Sequence, residues 1–159
     1  MNEPSGNVAA LTLGASARAL GQLVWAKRRC FELLGGWVTS TPEPATKLTL
    51  AGISLRQGMG AQMIEALLPD TRDHDPEAAV TPPEAGWPGL GPDEPTATDE
   101  RLLAVEAALE ALLTAAERIH DRMSPVSDGP ARRALAFAAQ SDREDLAECR
   151  AVHHPRPHR

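Results

Sequence analysis

The chain has 159 residues, 42% apolar and 24% charged, with 16 Lys and Arg against 22 Asp and Glu. That length and balance suit one globular domain with its own core, and they exclude collagen-like, disulfide-rich and fully disordered classes. Aromatic residues make up only 3% and Tyr is absent, so the core must come from Leu, Ala, Val and Ile, a composition that favours helices over strands.

The net charge of −6 is concentrated in one segment. Between Pro69 and Pro95 lie seven acids (Asp70, Asp73, Asp75, Glu77, Glu84, Asp93, Glu94) and one base, Arg72, leaving 15 of each sign elsewhere. A near-neutral body with an acidic loop lacks the basic face that phosphates need, so nucleic acid is not an expected partner. The densest basic cluster is Lys27-Arg28-Arg29. Three successive helical residues diverge, which predicts a solvated face. No apolar run approaches the ~20 residues of a membrane helix. Ala15-Ser16-Ala17 has the look of a signal-peptidase site, but Glu3 comes first and the first positive charge is Arg18, the wrong order for a secretory leader. Cys30 and Cys149, far apart, read as reduced thiols and the chain as cytoplasmic.

In chain order, the first helix is predicted from about Val8 to Val38. Its inward stripe is Leu13, Ala17, Leu20, Val24, Phe31, Leu34 and Val38, and Thr41-Pro42-Glu43-Pro44 ends it. The second runs from about Ala45 to before Pro69. It is apolar on more than one side (Leu48, Leu50, Ile53, Leu55, Met59, Met63, Ile64, Leu67), as a central helix would be. Gly52, Gly58 and Gly60 would let neighbouring backbones approach it. Residues 69–95, rich in Pro and Gly, form a long strap, and Trp87 and Leu90 would pin it to the body; a lid over a pocket is the alternative reading. The third helix, Thr98 to Met123, carries Leu102, Val105, Leu109, Leu112, Ala116, Ile119 and Met123 at alternating steps of three and four. Ser127-Asp128-Gly129-Pro130 is a turn. The fourth helix, Ala131 to Val152, turns Leu135, Ala138, Ala139, Leu146 and Cys149 inward. Residues 153–159 read as a frayed tail whose histidines bind metal adventitiously. The pattern predicts an all-α four-helix bundle in a single domain over residues 1–152.

Bundles of this kind hold paired metals with Glu residues and Glu-x-x-His pairs, because positions i and i+3 share a helix face. Here the third helix has Glu117-Arg118-Ile119-His120, flanked by charges and to one side of the apolar stripe, which reads as a surface pair. The first two helices have no His, and the fourth has none before the tail. Asp142 falls in line with Leu135, Ala138 and Cys149. A buried carboxylate there needs a cation, for which Arg28 and Arg56 are candidates. Gln57, in line with Ile53, Ala61 and Ile64, would need hydrogen-bond partners if buried, and Asp142 is a candidate. Asp145, Cys149 and His153 share a face, a spacing that also admits a metal ion. Phosphate loops, Ser/His/Asp sets and Cys-x-x-Cys pairs are absent from the sequence.

Several phrases together resemble a group of actinobacterial proteins with a ferritin-like fold. They are Leu20-Gly21 through Trp25, Phe31-Glu32-Leu33-Leu34-Gly35-Gly36-Trp37, Pro44 to Ser54, Ala66-Leu67-Leu68-Pro69, and Ser124-Pro125-Val126-Ser127-Asp128-Gly129-Pro130 followed by Arg133-Ala134-Leu135. The resemblance implies a ferritin-like bundle, paired with itself or with a catalytic relative. Where that group carries a His- and Trp-rich stretch in its second helix, this chain has Arg56-Gln57-Gly58-Met59-Gly60-Ala61-Gln62. The expectation is therefore a bundle with no di-iron centre and no cofactor, acting as a binding, scaffold or partner subunit. Its pocket candidates are Gln57, Met59, Met63, Glu32, Asp142 and Trp87. The alternative is an enzyme modifying a small molecule, using iron or another transition metal on Glu32, Glu65, Asp142 and Asp145, or working without a cofactor.

Overall fold

The computed structural model describes residues 11–92 and 95–154. The predicted helix start at Val8, Asp93 and Glu94 of the acidic segment, and tail residues 155–159 lie outside them. The described residues are all-helical, with α1 at Leu13–Ser40, α2 at Pro44–Glu65, α3 at Pro76–Ala79, α4 at Thr98–Arg122 and α5 at Gly129–His153. They contain no strand, only an isolated bridge between Thr71 and His74.

Helix ends follow local chemistry. Thr12 caps α1 by accepting from the Ala15 amide, and prolines occupy the first turns of α2 and α5, where the missing N–H has no intrahelical role. α5 runs through His153, so His153 is helical where the sequence reading expected a frayed tail.

Four long helices enclose one core. α1 packs on α2 and α4 packs on α5, while α2 also meets α5 and α1 meets α4. α2 and α4 are therefore diagonal, and the segment joining them crosses the body. The α4 stripe is buried along its whole predicted length, from Leu102 to Met123, as are Leu135, Ala138, Ala139, Leu146 and Cys149 of α5. α1 contributes Leu20, Leu23, Val24, Cys30 and Leu34.

The stripes of α1 and α2 differ from expectation. Leu13 and Phe31 of α1 are exposed, and α2 is not central: Leu48 (74% exposed), Leu55 (61%) and Met59 (61%) face outward while Leu50, Ile53 and Ile64 face the core. The glycines of α2 make room for side chains, not backbones. A Cβ at Gly58 would meet the Phe31 ring at 3.1 Å, and one at Gly60 would meet the Lys27 stem at 3.4 Å.

The strap is not structureless. Asp75 caps α3 by accepting from the Glu77 amide at 3.0 Å. The Ala79 carbonyl then lies so close to Gly21 that a Cβ there would come within 2.0 Å of it. Further on, Gly89 adopts φ +71° with its Cα against the Ala104 carbonyl of α4. Leu90 is buried and Trp87 packs half-buried on the core, so these two residues pin the strap.

Candidate functional site

The largest departure from the sequence reading is Lys27. It is 1% exposed, not part of a solvated face, and its stem runs over Gly60 into the interior. Its Nζ donates to Asp142 Oδ1 at 2.8 Å, Asp142 Oδ2 at 3.0 Å and Gln57 Oε1 at 2.9 Å. Asp142 is fully buried, as its alignment with the apolar stripe of α5 predicts, but its cation is Lys27 and not Arg28 or Arg56. Arg28 instead pairs with Glu65, and Arg56 with Asp145 and Glu148.

The cluster extends outward through Gln57. Its Nε2 donates to Asp142 Oδ1 at 2.8 Å and to Asp145 Oδ2 at 2.9 Å. The amide is thus oriented by charge, with its oxygen to the ammonium and its nitrogen to two carboxylates; the flipped amide would set oxygen against oxygen. Asp145 Oδ1 accepts from Arg56 Nε at 2.5 Å, and Arg56 reaches Glu148 at 2.7 Å near the surface. Asp142, Asp145 and Glu148 sit at steps of three on α5, so one helix face presents all three carboxylates to α1 and α2.

Electrostatics follow burial. Desolvation pushes the Asp145 carboxyl above its ordinary range, opposed by hydrogen bonds from Gln57 and Arg56 and by the Arg56 charge. The Cys30 thiol, packed beneath the cluster, is pushed up to about 12 by burial, against the pull of Lys27. Cys149 is likewise pushed up to about 12, and its thiol donates to the Leu102 carbonyl at 3.8 Å. A thiol needs its thiolate form to attack or to bind metal, so neither cysteine is a poised nucleophile.

The other candidates scatter. Glu32 is exposed beside Arg29, and Glu65 lies with Arg28. Glu32, Glu65, Asp142 and Asp145 do not converge: among the described residues, the one group of three ligand atoms within 4.8 Å is Glu106, His153 and His154. His153 pairs with Glu106 of α4 at 2.6 Å, and its ligand atom groups with Glu106 and His154, not with Asp145 and Cys149. Glu117 and His120 do not pair with each other: Glu117 pairs with Arg143 and His120 with Asp121. Gln57 belongs to the buried cluster, whereas Met59 and Met63 line an outer cleft of about 370 Å³ between α2 and α5, with Lys27 at its floor and Arg56, Phe137 and Glu144 around it. Trp87 is not in that cleft. A larger cleft of about 830 Å³ lies under the strap, lined by Arg18, Gln22, Asp73, His74 and Glu84.

Sequence reasoning missed Lys27 although a signal was present. It stands seven residues after Leu20 and seven before Leu34, on the inward stripe, and its position among three basic residues masked that register.

The class these observations define is an all-helical protein with a buried ion-pair cluster, in which no helix of the described residues is long and apolar enough to cross a membrane. No family model matches the chain, and no curated protein or solved structure matches it either.

Proposed function

We propose that the chain is a ferritin-like four-helix bundle without a di-iron centre, acting as a partner subunit that pairs with a second copy of itself through the outer face of α2. Support for the fold comes from helix order: α1 beside α2 and α4, α5 beside α2 and α4, and one long crossover between the diagonal helices, the connection that separates ferritin-like bundles from up-down ones. Facing side chains in the core are where such bundles keep metal ligands. Here that region holds Lys27, ion-paired with Asp142 and bonded to Gln57, which takes up the one buried carboxylate of the α5 stripe that faces it.

The observation carrying the pairing is the exposed row Leu48, Leu55 and Met59 on α2, flanked by exposed Phe31 of α1 and Phe137 of α5. An unpartnered apolar face of this kind marks an interaction surface. Lys47 and Glu65 stand about five turns apart on one flank of that row. A two-fold axis across the middle of α2 would bring Lys47 against the partner's Glu65, the self-complementary arrangement an isologous dimer needs.

Light scattering after size exclusion tests it. The wild-type chain should run at twice the single-chain mass and Leu55→Glu/Met59→Glu at the single mass with unchanged helicity. A wild-type chain that stays single at about 100 µM overturns the pairing.

A second reading, a small-molecule enzyme or binder, is favoured by one feature: the cleft between α2 and α5 has apolar walls of Met59, Met63 and Phe137 above the Lys27 ammonium. It predicts that a Phe137→Ala chain loses a ligand-induced thermal shift that the wild type shows.

A further inference from the structure

We infer that Glu106, His153 and His154 form a binding site for a zinc-type divalent transition metal that clips the end of α5 onto α4. Glu106 lies in the N-terminal half of α4 and the histidines close α5, so a shared ion would join the two helices. His153 Nδ1 is 2.6 Å and His154 Nε2 3.9 Å from the same oxygen, Glu106 Oε1, and all three ligand atoms lie within 4.8 Å of one another. Ligands around tetrahedral zinc sit about 3.4 Å apart, given bonds of about 2.0–2.1 Å, so an ion enters by opening the first distance and closing the second.

Three further features fit a cation. The Glu106 and His153 side chains are 14% and 9% exposed, which restrains their rotamers and limits competition from water. Arg150 Nε approaches the other Glu106 oxygen at 3.4 Å, the kind of outer contact that orients a ligating carboxylate. The site also stands at a helix C-terminus, where unpaired carbonyls favour positive charge. Two imidazoles and one carboxylate suit zinc, nickel or copper over calcium or magnesium, and they leave a fourth position open.

The test uses the full chain without an affinity tag and zinc alone as probe, in competition with a chromophoric chelator. One zinc per chain is expected. His153→Ala and Glu106→Gln should each weaken binding by about 100-fold or more, since even outer-shell losses cost 10–100-fold. His158→Ala, a change in the tail, should leave affinity unchanged. Circular dichroism confirms that each variant is folded, and cobalt substitution gives an independent readout through the visible bands of a tetrahedral centre. Binding that persists in Glu106→Gln, or that disappears in His158→Ala, overturns the site and reduces it to tail histidines. No binding by the wild-type chain at millimolar zinc overturns it as well.

Discussion

Replacing Lys27 by Met removes the ammonium while keeping an unbranched stem over Gly60. Asp142, fully buried, then loses the bonds at 2.8 and 3.0 Å, and Gln57 Oε1 loses its donor at 2.9 Å. Stripping one partner from a buried ion pair costs about 3–5 kcal/mol, because the carboxylate left behind is neither paired nor hydrated. For a chain of this size that is a melting-point drop of about 6–20 °C. The informative comparison is the triple variant Lys27→Met/Gln57→Leu/Asp142→Leu, which removes the stranded partners too. If the cost of the single change is the unpaired charge, the triple change recovers about half of it, since apolar replacements of whole buried ion pairs are often neutral or stabilising. Asp145 keeps Arg56 in that background, so the remaining deficit is one hydrogen bond to a charged group, about 1.5–3 kcal/mol. Urea denaturation followed by circular dichroism at pH 7 gives both values, with the slope checked for constancy. A loss below about 1 kcal/mol for Lys27→Met would refute the reasoning, because an ammonium so cheaply lost is solvated rather than buried.

Asp145 sets a pH dependence. Its folded-state pKa lies above its unfolded value of 3.8, so the folded chain takes up this proton first as pH falls. The stability of the wild type relative to Asp145→Asn should therefore rise as pH drops through the folded value to about 3.8; urea midpoints across that range decide it, and a falling difference contradicts the burial argument. Cys30 and Cys149, both pushed up to about 12, should stay unlabelled by a thiol reagent at pH 8 in the folded chain and react at once in guanidinium. Gly89→Ala must place a Cβ 2.0 Å from the Ala104 carbonyl at positive φ and should cost about 1–3 kcal/mol. Gly36→Ala, in α1 with open space around it, should instead gain about 0.5–1 kcal/mol; thermal melts of the pair test the strap contact against the helix baseline.

How far the fold was legible depended on how many neighbours each stripe had to serve. α4 meets the core along one unbroken row, so its spacing alone named every buried residue from Leu102 to Met123 except Ala108. α2 is apolar on two sides, and apolar residues give no sign of which side is covered by the same chain. Leu48, Leu55 and Met59 looked as buried as Leu50 and Ile53 until α1 and α5 were in place. The strap showed its anchors, Trp87 and Leu90, but α3 is a single turn held by Asp75 and by the gap at Gly21, a contact between residues 58 positions apart.

The sequence by itself determined the helical class, the register of α4 and α5, and the inward position of Gln57 and Asp142, because each follows from a period of 3.6 residues within one segment. Tertiary structure alone decided the pairings: Lys27 to Asp142, Arg56 to Asp145, and Glu106 to His153. Periodicity fixes the direction in which a side chain leaves its helix, whereas the identity of its partner depends on which helix packs opposite and at what height. That choice is made by the packed core as a whole, and no local pattern along the chain records it.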